Sequence, residues 1–280
     1  MNRIPVISIQ RGCVYDGPGV RTTVFLKGCT LHCPWCCNPE SINLSKEFFY
    51  YEDRCLKVQG IDSAFCLNCQ KNDGIISISE CPLNVMVPVS KDWTTDELLK
   101  EILKDECLFK ESNGGVTFSG GEPLLWIEKI SLALRKLRDK SIDIVFETSL
   151  QVPFCNVEMM AEYANRVILD LKLQEEMLLH DCRYTSSIQD KITLLQKHQL
   201  PIDFRLVFVN SVYDQSHFVI DKLKQLGVKQ LELLKCHNLA QQKYKCLGLP
   251  FNVSHVDEEK YNEFTENLIQ NQILTFKMTV

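Results

Sequence analysis

The chain has 280 residues, 45% of them hydrophobic and 24% charged, with a formal net charge of −5. These are the proportions of an ordinary globular protein, long enough to bury a core without disulfide staples. A mildly acidic chain with no basic stripe lacks the electrostatic footprint of a nucleic-acid binder. No window reaches the ~18 uninterrupted apolar residues of a membrane span.

Taken in chain order, Val20 to Leu26 is β-branched and aromatic and predicts a strand. Residues 45 to 92 carry four cysteines, irregular polarity and little periodicity, as expected of an inserted segment. Gly115 to Phe118 predicts a second strand, followed by helical spacing over 124–138 at Leu125, Ile130, Leu134 and Leu137. Ile142 to Phe146, Arg166 to Leu171, Ile202 to Val209 and Val228 to Leu234 read as further strands. Helical stretches over 156–164, 188–198 and 216–226 separate them. A helix over 258–270 and a strand from Ile273 to Met278 close the pattern. Strands that alternate with helices in this way predict an α/β fold with a parallel sheet, wound as an open or closed barrel. Chemistry in such barrels sits at the carboxyl ends of the strands. Gly120-Gly121-Glu122, Glu147-Thr148, Asp170-Leu171-Lys172, Arg205 and His237 fall on or just after predicted strands.

Fourteen cysteines are present, nine of them before residue 82. Met1 to Pro5 lacks the apolar run of a secretory leader, so the cytoplasm is the expected compartment. Thiols stay reduced there, and clustered thiols favour metal or cluster binding over disulfides. Cys29, Cys33 and Cys36 follow the first long strand with spacing Cys-x3-Cys-x2-Cys. Iron–sulfur clusters normally take four cysteines, so three leave one iron with an open position.

This triplet, after Phe25-Leu26-Lys27-Gly28, resembles the motif of the radical S-adenosylmethionine (SAM) superfamily. The upstream Asp16-Gly17-Pro18-Gly19-Val20-Arg21 narrows the resemblance to glycyl-radical-enzyme activating enzymes of the pyruvate formate-lyase activase type. The resemblance extends to about residue 250. Cys37 stands where the family usually has His, and Leu150 where it often has Gly.

The resemblance implies a partial (βα)6 TIM-like barrel over 1–280, with a small cysteine-rich insert at 45–92. It implies a catalytic [4Fe-4S] cluster on Cys29, Cys33 and Cys36, with SAM on the open iron. SAM-contacting roles are implied for Gly120, Gly121 and Glu122 (the amino group), for Asp170, Leu171 and Lys172, and for His237. Trp35 and Cys37 are expected on the pocket wall. Glu147 is expected near a small cation beside SAM, and an inward Arg205 suggests carboxylate binding. The implied reaction is reductive cleavage of SAM to a 5′-deoxyadenosyl radical, which abstracts hydrogen from a glycine of a partner glycyl radical enzyme. That glycine is expected in a loop threading the barrel mouth close to Asp16 to Arg21. A low-potential donor such as ferredoxin or flavodoxin is implied. The alternative is radical SAM chemistry on a small molecule or peptide. A bare electron carrier has no need of Gly-Gly-Glu, Asp-x-Lys and His at successive strand ends.

Cys55, Cys66, Cys69 and Cys81 form a second set with spacing Cys-x10-Cys-x2-Cys-x11-Cys. They suffice for one auxiliary [4Fe-4S] cluster; a zinc site and a metal-free insert are the alternatives.

Overall fold

A computed structural model describes residues 3–61, 81, 83–173 and 187–276. Strands β1 (Ile4–Cys13) and β2 (Arg21–Leu26) form an antiparallel pair at the start of the main sheet. β3 (Phe48–Tyr50) and β4 (Met86–Pro88) make a separate two-stranded ribbon within the predicted insert. β5 (Lys91–Trp93) then rejoins the main sheet against β1. The remaining strands are β6 (Gly115–Gly120), β7 (Asp143–Thr148), β8 (Arg166–Leu171), β9 (Ile202–Phe208), β10 (Gln230–Lys235) and β11 (Leu274–Phe276).

The sheet order is β11-β10-β9-β8-β7-β6-β2-β1-β5. From β2 through β6 to β11 every neighbouring pair is parallel. Six of these strands, β2 and β6 to β10, are the six units of the expected partial TIM-like barrel. β11 extends the parallel run, while β1 and β5 add an antiparallel edge that the pattern of the sequence does not announce.

The central strands read as unbroken apolar runs because both of their faces are covered. Val116, Phe118, Ile144, Phe146, Val167 and Leu169 are all fully buried. Helix Ile127–Asp139 buries Ile127, Ile130, Ala133, Leu134 and Leu137, one stripe of a 3.6-residue repeat. Helices Thr95–Ile102 and Ile188–Lys197 start at capping boxes, Thr94 with Glu97 and Ser187 with Asp190. Parallel strands point all their carboxyl ends the same way, which gathers the loops after β2, β6, β7, β8 and β10 around one space. Among the described residues no helix is long and apolar enough to cross a membrane.

Candidate active site

The loop after β2 is fixed at both ends. Gly28 N donates to the Ser41 carbonyl at 2.7 Å and Cys29 N to that of Ile42 at 2.9 Å. Within the loop, Cys36 N donates to the Cys33 carbonyl at 3.0 Å. Helix Gln241–Leu247 latches it from far along the chain: the Tyr244 hydroxyl donates to the Cys36 carbonyl at 3.1 Å. Lys243 Nζ meets Asn38 Oδ1 at 2.8 Å and Glu40 Oε1 at 2.5 Å. Gly28 has φ +104°, a conformation that strains any residue with a side chain, so glycine suits this turn.

Cys29, Cys33 and Cys36 line one cavity of about 450 Å³, together with Trp35, Cys37, Gly120, Gly121, Glu147, Asp170, Lys172 and His237. The strand-end motifs of the sequence thus meet the cysteine loop in one place. Three predicted cofactor residues do not line it. Leu171 alternates to the opposite side of β8 and sits in the core, 1% exposed. Glu122 is fully buried beneath the wall, where Thr148 Oγ1 (2.6 Å), Ser149 N (3.0 Å) and Ser149 Oγ (2.8 Å) donate to its carboxylate. Arg205 is bound by Glu147 and Glu232 rather than presented to a ligand carboxylate.

Glycine has a steric role on the β6 side. A Cβ on Gly120 would come within 2.4 Å of the Leu26 backbone, and one on Gly121 within 2.1 Å of the Gly28 carbonyl oxygen. The two glycines therefore let the end of β6 lie against the root of the cysteine loop. Glu122 N adds a 2.7 Å bond to the same Gly28 carbonyl. On β7, Glu147 accepts from Arg205 through one oxygen and from Ser119 Oγ at 2.6 Å through the other. Both oxygens of this cavity-lining carboxylate are engaged by the chain itself.

The β8 side is different. Lys172 Nζ reaches Asp170 Oδ2 at 2.6 Å, while Asp170 Oδ1 is buried with no partner. Trp35 Nε1 and Thr30 Oγ1 are likewise buried and unpartnered. Asp16 also lines the cavity; Thr23 Oγ1 donates to its carboxylate at 2.5 Å and Thr117 Oγ1 to its carbonyl at 2.7 Å. The Asp16 to Arg21 segment thus packs against mid-strand threonines, with Arg21 fully buried and bound to Thr117 Oγ1 and the Val116 and Pro18 carbonyls.

Burial drives the titration of the site. It pushes the Cys29 thiol up to about 12, helped by the Glu122 carboxylate, and raises Cys33 and Cys36 as well. Burial also raises Cys37, assisted by Glu147. For Lys172 burial acts the other way, but Asp170 and the cysteines outweigh it and hold the ammonium raised. Burial raises Glu122 and Glu147 against the groups that bond them.

These residues fit a [4Fe-4S] cluster with SAM beside it. Among the described residues no three His, Cys, Asp or Glu side chains close on a single metal ion. A cluster does not ask for that, since each cysteine takes a different iron. The unpartnered Asp170 and Trp35 atoms offer one acceptor and one donor to a polar ligand. Ser149, Asn38, Lys243 and Tyr244 belong to the site or its supports, and the sequence motifs give them no role there. Of the second cysteine set, Cys55 and Cys81 are free, half-buried thiols, and Cys66 and Cys69 lie outside the described residues.

The profile of a 4Fe-4S single-cluster domain matches residues 15–193. The chain is 30% identical to the (2S)-3-sulfopropanediol dehydratase activating enzyme of Klebsiella oxytoca, over 91% of this chain and 90% of that one. The chain belongs to the radical SAM family of glycyl-radical-enzyme activating enzymes. The pyruvate formate-lyase 2-activating enzyme of Escherichia coli is 30% identical, covering 90% of this chain and 83% of its own. The trans-4-hydroxy-L-proline dehydratase activating enzyme of Clostridioides difficile is also 30% identical, covering 85% and 86%. As a radical SAM activating enzyme, the protein is of oxidoreductase type and works with a [4Fe-4S] cluster and SAM. Its cysteine loop falls inside the matched residues.

Proposed function

We propose that this activating enzyme installs a radical on a glycine of a partner glycyl radical enzyme, with the cavity after β2 as its reaction chamber. The observation that carries the reading is the meeting of three thiols with Asp170 and Trp35 on that cavity, each of the two holding a buried polar atom without a partner. A cluster and SAM, when bound, supply one-electron chemistry and a hydrogen-abstracting carbon radical.

The chain's own part is to hold, orient and exclude water. Cys29, Cys33 and Cys36 would hold the cluster and, being three, keep one iron position for SAM. They must shed their protons to do so. Gly120 and Gly121 let the end of β6 lie against the root of the cysteine loop, where both line the cavity. Asp170 Oδ1 would accept from SAM's polar hydrogens, and Lys172, Trp35 and His237 would face its remaining polar atoms. Glu122 holds the wall from behind, and Arg205 fixes Glu147. Asp16, on the same cavity, is the natural floor for the incoming glycine. A ferredoxin or flavodoxin as electron donor, a cytoplasmic setting without nucleic-acid partners, and one auxiliary [4Fe-4S] cluster on Cys55, Cys66, Cys69 and Cys81 complete the reading.

The test is anaerobic. Reconstituted protein, reduced with SAM, releases 5′-deoxyadenosine, and a Cys33→Ala chain does not. Incubated with glycyl radical enzymes encoded near its gene, the protein gives one of them a glycyl signal by electron paramagnetic resonance. Release of 5′-deoxyadenosine with no such signal in any candidate overturns the partner assignment in favour of a small-molecule or peptide substrate.

A further inference from the structure

Helix Ile188–Lys197 sends one charged side chain into the molecule. Lys191 is 1% exposed, and an ammonium is costly to bury unless it is bonded. Its Nζ donates to the carbonyl of Leu150 at 2.9 Å. Leu150 is unusual in turn: it is fully buried and has φ +57°, a left-handed conformation that a bulky L residue rarely adopts. Its own N donates to Thr148 Oγ1 at 2.9 Å. That hydroxyl and both donors of Ser149 converge on Glu122. Glu122 N is bonded to the Gly28 carbonyl, next to Cys29. Thr148 and Ser149 line the cavity themselves, whereas Leu150 and Lys191 do not. Burial lowers the proton affinity of Lys191, and the carboxylates of Glu122 and Asp190 oppose that loss.

We propose that Lys191 is a positioning residue for the cofactor pocket: it clamps the left-handed turn at Leu150 so that Thr148 and Ser149 grip Glu122 and, through it, the root of the cysteine loop. The proposal rests on reading the cavity as the SAM site. Leucine at this turn needs an external hold that a glycine, free to take positive φ, does without. The buried ammonium supplies both that hold and a counter-charge for Glu122.

The decisive variant is Lys191→Met, which keeps the length and removes the donor and the charge. SAM affinity is measured by equilibrium dialysis on the reconstituted, unreduced enzyme, and amide hydrogen exchange over 148–151 on the apo chain. The dissociation constant for SAM is expected to rise about tenfold or more, from the loss of a buried charged hydrogen bond. The Ser149 and Leu150 amides are expected to exchange faster, and KM for SAM to rise by a larger factor than kcat falls. In a Leu150→Gly background the same Lys191→Met change should cost clearly less affinity, since glycine holds the turn unaided. If Lys191→Met fails to fold, recovery of folding and SAM binding in the Lys191→Met/Leu150→Gly pair supports the clamp. No recovery, when Leu150→Gly alone folds, overturns it. Unchanged SAM affinity in Lys191→Met, or an equal loss in both backgrounds, also overturns it. Wild-type protein that binds no SAM defeats the reading of the cavity instead, and leaves the exchange result to judge the clamp.

Discussion

The two walls of the cavity are built from the same kinds of residue and do opposite things. On the β6–β7 side, Glu122 and Glu147 have their oxygens engaged by Thr148, Ser149, Ser119 and Arg205. That wall is finished by the chain itself. On the β8 side, Asp170 keeps Oδ1 unpartnered beside Lys172, with Trp35 Nε1 also unpartnered in the cysteine loop. A buried polar atom without a partner is costly, and a ligand that completes it gains what the apo chain lacks. A carboxylate at a strand end is therefore not informative by its position alone. What separates scaffold from ligand contact is whether its hydrogen bonds are already made.

Four substitutions or conditions bear on this contrast. Cys33→Ala should abolish cluster binding and 5′-deoxyadenosine release altogether, checked by iron content and product chromatography. Glu122→Ala should strike the finished wall. It leaves the Thr148 hydroxyl and both Ser149 donors without their buried acceptor, so stability should fall by about 3–5 kcal/mol and the melting temperature by ~10 °C. Asp170→Asn should strike the unfinished wall: SAM binding weakens about tenfold or more in equilibrium dialysis, while the apo chain loses less stability than in Glu122→Ala, because Asn keeps an oxygen for the Lys172 ammonium. If Asp170→Asn instead destabilises the chain as much as Glu122→Ala, the contrast between the walls is wrong. The smallest effect is on pH. Burial raises the three cluster thiols, with Cys29 at about 12, so the apo site is protonated at neutral pH and loading must release protons. Loading should strengthen as pH rises and weaken as it falls. Iron incorporation under limiting iron at about pH 8.5 should exceed that at about pH 6.5.

Much of this was legible in the sequence, for reasons specific to each part. The parallel strands announced themselves because burial on both faces writes continuous apolar runs, and Arg166–Leu171 matches its expected bounds. β1 did not: it carries Pro5 and turns half-exposed and then polar after Val6, as an antiparallel segment near the sheet edge can. Helix Thr95–Ile102 left two traces that the strand-and-helix reading passed over, Thr94 with Glu97 as a capping box and Leu98, Leu99 and Ile102 on one buried face. The cysteine spacing and the strand-end motifs located the cavity. Motif spacing, however, could not tell that Glu122 faces the wall, that Leu171 faces the core, or that Arg205 is claimed by Glu147 and Glu232. Those outcomes are decided by hydrogen bonds between distant residues, which leave no local pattern.

The latch from helix Gln241–Leu247 has a consequence for how the protein matures. Lys243 and Tyr244, which hold the far end of the cysteine loop, lie more than 200 positions after it in the chain. On the ribosome the three cysteines emerge long before the residues that fix their loop. Stable cluster insertion is therefore expected only after residue 244 has emerged, and a product truncated before residue 243 would carry all three cysteines proposed to hold the cluster and still lack the fastening of their loop.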